Sequence, residues 1–411
     1  MTLHWALSGV ILLPAFVLTG EQGSQAKSET ESAAARSHAS DLVVHEWGTF
    51  TTVAGSDGAA LEWRPLLGKT SDLPSFVHGT ARNDGGRGLR FRKAGEQDPG
   101  TDAGGKKDMR ATVRMETPVL YFYTKQAQRI SVRVDFPGGK ITEWYPKASW
   151  VGSGIDWGQI ELQPGYEGSF PREKADNHYY PARRTDAVPV RVHSDTRPVV
   201  EHERFLFYRG VGTFPLPLRA TLSDGRLLLE NRSRQEIPAI LLFDRREDGI
   251  RISVIDRLAP GKPVRIRPTT KSKETAIHRR LERILEEQGL HGKEAKAMVA
   301  TWSDHWFMPG LRVFYVLPTQ ATEAILPLRI TPTPKAVVRV LVGRIEILRP
   351  EEKARIRGLA LELGAPDFET RDRATQALIR IGRFAAPVLE EILLDSKDLE
   401  VRARIESLLQ R

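Results

Sequence analysis

The segment His45-Glu46-Trp47-Gly48-Thr49-Phe50-Thr51 sets an imidazole, a carboxylate and an indole side by side, just after the apolar run Leu42-Val43-Val44. If the segment is a strand, successive side chains point to opposite faces. His45 and Trp47 then share one face and Glu46 takes the other. An imidazole paired with a carboxylate from elsewhere in the chain can bind a metal or act as a general base. Beside an indole it can equally be a hydrogen-bonded core histidine. Glu116 and Arg209 lie in apolar-flanked segments, where a buried charge must find a partner. Two readings follow. In one, His45, Glu46 and Glu116 are catalytic, with Trp47, Tyr208 and Arg209 as substrate contacts. In the other, Glu116 and Arg209 form a structural ion pair.

A second group is His193, Asp195, Glu201, His202 and Glu203, within eleven residues of one another and not far from His178 and the Tyr179-Tyr180 pair. Imidazole and carboxylate suit zinc and similar ions, which makes His193 and His202 candidate metal ligands. The spacing is not that of a helical His-Glu-x-x-His motif. Aromatic residues are dense between 47 and 157, and Trp150 and Trp157 flank a Gly-rich stretch that reads as a surface loop. Exposed rings there would stack on sugar, so an envelope polysaccharide is a candidate ligand. Glu143 and Asp156, each beside a Trp, are a candidate carboxylate pair for glycoside hydrolysis. Gly152-Ser153-Gly154 is a flexible stretch and not the elbow of a Ser nucleophile.

The absence of cysteine in 411 residues excludes disulfides, thiolate metal sites and cysteine nucleophiles. There is no phosphate-cradling P-loop and no dinucleotide glycine fingerprint, and no motif specifies a cofactor. Sixty-one Lys and Arg against 52 Asp and Glu give a net charge of +9, which speaks to nonspecific attraction of anions. Ala6 to Thr19 is almost wholly apolar, too short for a spanning helix and interrupted by Pro14, but of the length of an export signal. Ser24-Gln25-Ala26 offers the small residues of a cleavage site, although Met1 to Trp5 lacks the usual Lys or Arg. A periplasmic or secreted location follows, with a retained anchor as the alternative and residues 27–40 as a flexible tether. Export makes nucleic acid an unlikely partner. No later stretch is apolar enough to span a bilayer.

The elements that must position these residues are mostly strands. Ile130-Ser-Val-Arg-Val-Asp-Phe136 alternates strictly, and Pro137-Gly138-Gly139 is expected to return the chain antiparallel through Lys140 to Tyr145. Asn83 to Met109 breaks the pattern with seven Gly and several basic residues, and reads as a long loop that is either solvated or takes up an anionic surface. Between 200 and 268, strands and turns alternate, which suggests a sandwich. Ile277, Leu281, Ile284 and Leu285, then Ala295, Met298, Val299 and Trp302, change to helical spacing and predict an αα-hairpin. Residues 350–411 predict four short helices, with Asp367 and Asp398 as caps.

The run Phe368, Arg371, Ala374, Leu378, Ile381-Gly382, Ala385 and Pro387-Val388-Leu389 resembles a HEAT-type helical repeat. One such unit must lean on the body or on a protein partner. Five further segments resemble, together, a group of uncharacterised exported bacterial proteins over roughly 43–350. They are His45 to Thr51, Met115-Glu-Thr-Pro-Val-Leu-Tyr-Phe-Tyr123, Phe136 to Pro146, Phe205-Leu-Phe-Tyr-Arg-Gly-Val-Gly212 and Gly310-Leu-Arg-Val-Phe-Tyr-Val-Leu-Pro318. That resemblance implies export and a single body, and carries no catalytic role. The expected fold is α+β, a mainly antiparallel, sandwich-like body with an αα-hairpin and a HEAT-like helical extension. The expected segments are 41–199, 200–268, 269–349 and 350–411. The expected function is binding or scaffolding at the cell envelope, with a secreted, possibly metal-assisted hydrolase of an envelope or extracellular polymer as the alternative.

Overall fold

Alternation of apolar and polar side chains produces strands through most of the chain, and the change to helical spacing falls where the sequence places it. The computed structural model describes residues 41–66, 73–80, 109–193 and 200–409. The expected export signal, the tether, Asp195 and nearly all of the Gly-rich loop at 83–109 lie outside the described residues.

In chain order the strands are β1 (Val43–Ala54), β2 (His78–Gly79), β3 (Val113–Tyr123), β4 (Gln128–Asp135), β5 (Gly139–Tyr145), β6 (Trp150–Gly152) and β7 (Gly154–Leu162). Then come β8 (Val190–His193), β9 (Val200–Glu203), β10 (Leu206–Gly212), β11 (Leu218–Ser223), β12 (Arg226–Asn231) and β13 (Ile240–Arg246). Last are β14 (Gly249–Ile255), β15 (Val264–Ile266), β16 (Thr270–Ser272), β17 (Gly310–Val316), β18 (Leu328–Thr331) and β19 (Ala336–Ile347). The helices are α1 (Glu274–Glu287), α2 (Gly292–Trp306), α3 (Thr319–Ile325), α4 (Pro350–Glu362), α5 (Phe368–Ile381), α6 (Ala386–Asp395) and α7 (Leu399–Leu409).

Ten strands form the main sheet, in the order β16-β14-β13-β17-β19-β1-β3-β10-β5-β2. β1 and β19 run parallel at its centre, with His45 opposite Val338 and Thr51 opposite Arg344. The neighbouring pairings are antiparallel. Segments 41–199, 200–268 and 269–349 all contribute strands to this one sheet. One face of the sheet shares a core with a six-stranded sheet, containing β4 and β7, and with the three-stranded sheet β11-β12-β15. The other face is covered in part by the hairpin α1–α2, through Ile277, Leu281, Leu285, Met298, Trp302 and Trp306. Gly289, at φ 105°, ends the first of these helices as expected. The protein is thus α+β with mostly antiparallel sheets. Among the described residues, no helix is long and apolar enough to cross a membrane.

The expected hairpin of 130–136 with 140–145 does not form. β4 pairs with β7 and β18, while β5 pairs with β10 and β2 in the main sheet. Both segments bury apolar side chains in the same core, Ile130, Val132 and Val134 from one and Ile141 from the other. They therefore face each other across that core instead of lying side by side, and the Pro-Gly-Gly turn carries the chain between sheets. The Trp150–Trp157 stretch is a tight hairpin, β6 with β7, and not a loop.

Helices α4 to α7 form their own core from Ile356, Ala360, Leu363, Ala374, Leu378, Leu389 and Ile405, and this core includes Trp63 and Leu348 of the body. Asp367 caps α5 by accepting from the Thr370 N–H at 2.7 Å. Asp398 accepts from the N–H groups of Glu400 and Val401 at the start of α7.

Candidate functional site

Where the αα-hairpin stops covering the main sheet, the same face continues with charged side chains in place of apolar ones. Alternation puts Thr51 of β1, Arg114 and Glu116 of β3, Arg209 of β10, Glu143 of β5, Arg312 of β17, and Arg344 and Glu346 of β19 on this face. Cross-strand register makes them neighbours: Arg209 opposes Glu143, Arg312 opposes Glu346, and Thr51 lies between Arg114 and Arg344. The helical tail covers this charged area, and a cavity of about 400 Å³ remains between them. Its tail wall includes Leu378, Ile381, Gly382, Arg383, Phe384 and Leu389. A larger hollow of about 740 Å³, walled by residues such as Phe214, Leu216 and Ile325, has only Arg219 and Arg232 as charged lining groups.

Glu116 is fully buried at the centre of the charged layer. It accepts from Arg383 Nη1 at 2.7 Å and from Thr51 Oγ1 at 3.1 Å, with Arg114 Nε at 3.4 Å and Arg344 Nη1 at 4.0 Å. Burial alone would raise its pKa. The surrounding guanidinium groups, led by Arg383, outweigh that and hold it down to about 2. Glu346 pairs with Arg312 Nε at 2.7 Å and with Arg344 Nη2, and its carboxyl is likewise held below the ordinary range despite burial. Arg344 also donates to the His305 carbonyl at 3.1 Å. His305 lines the cavity, and burial, with Arg383 nearby, lowers its pKa against the pull of Asp304 and Glu116. Among the lining groups, five guanidinium groups face two carboxylates, Glu143 and Glu346. The wall therefore carries an excess of positive charge in a partly dehydrated space, where electrostatic attraction is strong.

The residues singled out from sequence fall in several places. Glu116 and Arg209 belong to the charged layer. Glu46, on the opposite face of β1, accepts from Tyr208 Oη at 2.5 Å and Arg339 Nε at 2.6 Å. His45 lies on the helix-covered face, with Nδ1 2.8 Å from Oε2 of Glu294 in α2. That carboxylate also accepts from Tyr123 Oη at 2.8 Å and from the His291 N–H at 2.7 Å. The carboxylate expected to partner His45 is thus Glu294. His45, Glu46 and Glu116 do not converge on one pocket. Trp47 is buried in the core beneath the hairpin.

Trp150 is 42 % exposed, with the Arg133 guanidinium 5.3 Å from its ring. Trp157 is 1 % exposed and donates from Nε1 to the Pro146 carbonyl at 3.1 Å, which corrects the surface position expected for it. The cause is β7: Trp157 takes an inward position on that strand, edge-on to Tyr208. Glu143 and Asp156 lie in different sheets. His193 has Glu161 at 3.7 Å, and His202 stacks on Tyr166 at 4.7 Å. Two groups among the described residues bring three potential metal ligands within 4.8 Å: His45, His291 and Glu294, and His178, Asp304 and His305.

Arg114, Arg312, Arg344, Glu346 and Arg383 were not singled out from sequence. The rule applied to Glu116, a charge flanked by apolar neighbours in a strand, would have found Arg312, Arg344 and Glu346. Nothing local marks Arg383, which reaches the site from the tail. Compared with models of known protein families and with curated proteins, the chain matches none.

Proposed function

We propose that this is an exported binding protein of the cell envelope whose arginine-walled cavity takes a small acidic ligand, such as a carboxylate- or phosphate-bearing sugar from an envelope polymer. One observation carries the reading: a cavity of about 400 Å³, in the size range of small-ligand sites, has five guanidinium groups against two carboxylates in its wall. Arginine suits such a ligand because its planar fork can donate two hydrogen bonds to one carboxylate or phosphate. The tail, which we read as a HEAT-like unit, docks on its own body here and roofs the cavity. Its contacts with the body support this: Arg383 with Glu116 at 2.7 Å and the Arg64 N–H with Glu390 at 2.9 Å. The shared core between the main sheet and the six-stranded sheet supports a sandwich-like reading of the body. Export rests on the apolar run at 6–19 and on the likeness to exported bacterial proteins.

The test is calorimetric titration with glucuronate, glucose 6-phosphate and glucose. The acidic sugars should bind and glucose should not. Arg344→Gln and Arg383→Ala should each weaken binding by about tenfold or more, since a charge-assisted hydrogen bond contributes about 1.5–3 kcal/mol. Equal binding of glucose, or no effect of either substitution, would refute the reading.

A further inference from the structure

At the carboxyl end of α2, Asp304 and His305 meet His178, which precedes the short 3-10 turn Tyr180–Arg183. Nδ1 of His178 lies 2.9 Å from the Thr301 carbonyl oxygen. That oxygen can only accept, so Nδ1 carries a proton and Nε2 is the nitrogen left to face other groups. Nε2 lies 3.2 Å from Asp304 Oδ2. This nitrogen, turned to a carboxylate oxygen, is placed to share a bound cation with it. His305 approaches the other oxygen of the same carboxylate. Its Nδ1 is 2.8 Å from Asp304 Oδ1.

The surroundings are those of a held ligand set. A backbone carbonyl fixes the His178 tautomer, as carbonyls do for metal-bound imidazoles, and the ring stacks on Trp302 at 6.0 Å. Two imidazole nitrogens and a carboxylate suit Zn²⁺ and its first-row neighbours, whereas Mg²⁺ and Ca²⁺ prefer oxygen. Each residue offers one donor atom, and the three atoms lie within 4.8 Å of one another, near enough for small side-chain adjustments to bring them onto one ion at about 2.0–2.1 Å. The other three-ligand group is a poorer candidate. Glu294 already receives the His45 ring, the Tyr123 hydroxyl and the His291 N–H.

We propose that His178, Asp304 and His305 form a three-ligand site for Zn²⁺ or a similar divalent first-row ion at the edge of the arginine-walled cavity, which His305 also lines. The ion's remaining position would be left for water or for an oxygen of the acidic ligand. The metal site does not depend on the anion reading, because acidic-sugar titration of chelator-treated protein tests the cavity alone.

The experiment is titration of chelator-treated full-length protein with ZnCl₂. One equivalent should bind. His178→Gln and Asp304→Asn should each weaken Zn²⁺ binding by about tenfold or more. His45→Gln should leave the stoichiometry at one. The Asp304 side chain is 55 % exposed, so Asp304→Asn should retain the metal-free melting temperature and carry the test if His178→Gln folds poorly. Absence of Zn²⁺ binding, unchanged binding in Asp304→Asn, or loss confined to His45→Gln would each overturn the proposal.

Discussion

Protonation of Glu116 probes the charged layer most directly. In the unfolded chain this carboxylate takes up a proton near its ordinary value of 4.5, whereas in the folded protein the arginines hold the pKa near about 2. The depressed pKa makes a contribution to stability that is complete above pH 4.5 and is lost as the pH falls from there toward 2. A shift of that size corresponds to about 3 kcal/mol. Replacing the carboxylate removes the contribution at every pH and leaves the surrounding guanidinium groups without their central counter-charge. Glu116→Gln should therefore cost about 3–5 kcal/mol at pH 7. The assay is urea unfolding of both proteins at constant ionic strength between pH 7 and pH 2.5. Other carboxylates titrate over the same range, so the informative quantity is the difference between the two proteins. That difference should shrink by about 2–3 kcal/mol between pH 5 and pH 2.5. Parallel stability curves would refute the account of Glu116 as an anion held by its arginines.

Glu294→Ala should destabilise by about 3 kcal/mol or more, read from the urea midpoint, because His45, Tyr123 and the start of α2 lose one shared acceptor in a buried setting. Ile405→Ala, in the core of the tail, should cost about 2–5 kcal/mol locally. Hydrogen exchange should then accelerate in residues 350–409 while the main-sheet amides keep their protection; uniform acceleration would show that tail and body unfold together. Gly48→Ala should lower the melting temperature, since a Cβ there would lie 2.9 Å from Pro118 Cα and 3.0 Å from Leu341 Cδ1, where β1 and its neighbours come closest.

Much of the secondary structure was legible because its signals are local. The alternation at 130–136 and 250–254, the stripes of α1 and α2, and the caps at Asp367 and Asp398 depend only on residues a few positions apart. The opposite orientation of His45 and Glu46 was legible for the same reason, and the two indeed have separate partners, Glu294 on one face and Tyr208 with Arg339 on the other. The 130–145 segment shows where local reasoning stops. Turn chemistry there is genuine, but a turn does not say whether the returning strand pairs beside its predecessor or crosses the core to another sheet.

The sequence by itself determined the classes of element, the charge that had to be neutralised inside apolar strands, and the chemistry closed to a chain without cysteine. Tertiary structure alone decided which charges meet. Glu116 and Arg383 are 267 positions apart, and His178 and Asp304 come together only because α2 packs against the segment leading into Tyr180. Alternation assigns a side chain to a face, but the neighbours on that face are set by strand order and by what covers the sheet. That order is settled by burial of apolar surface over the whole body, a non-directional force that leaves no short-range mark in the chain.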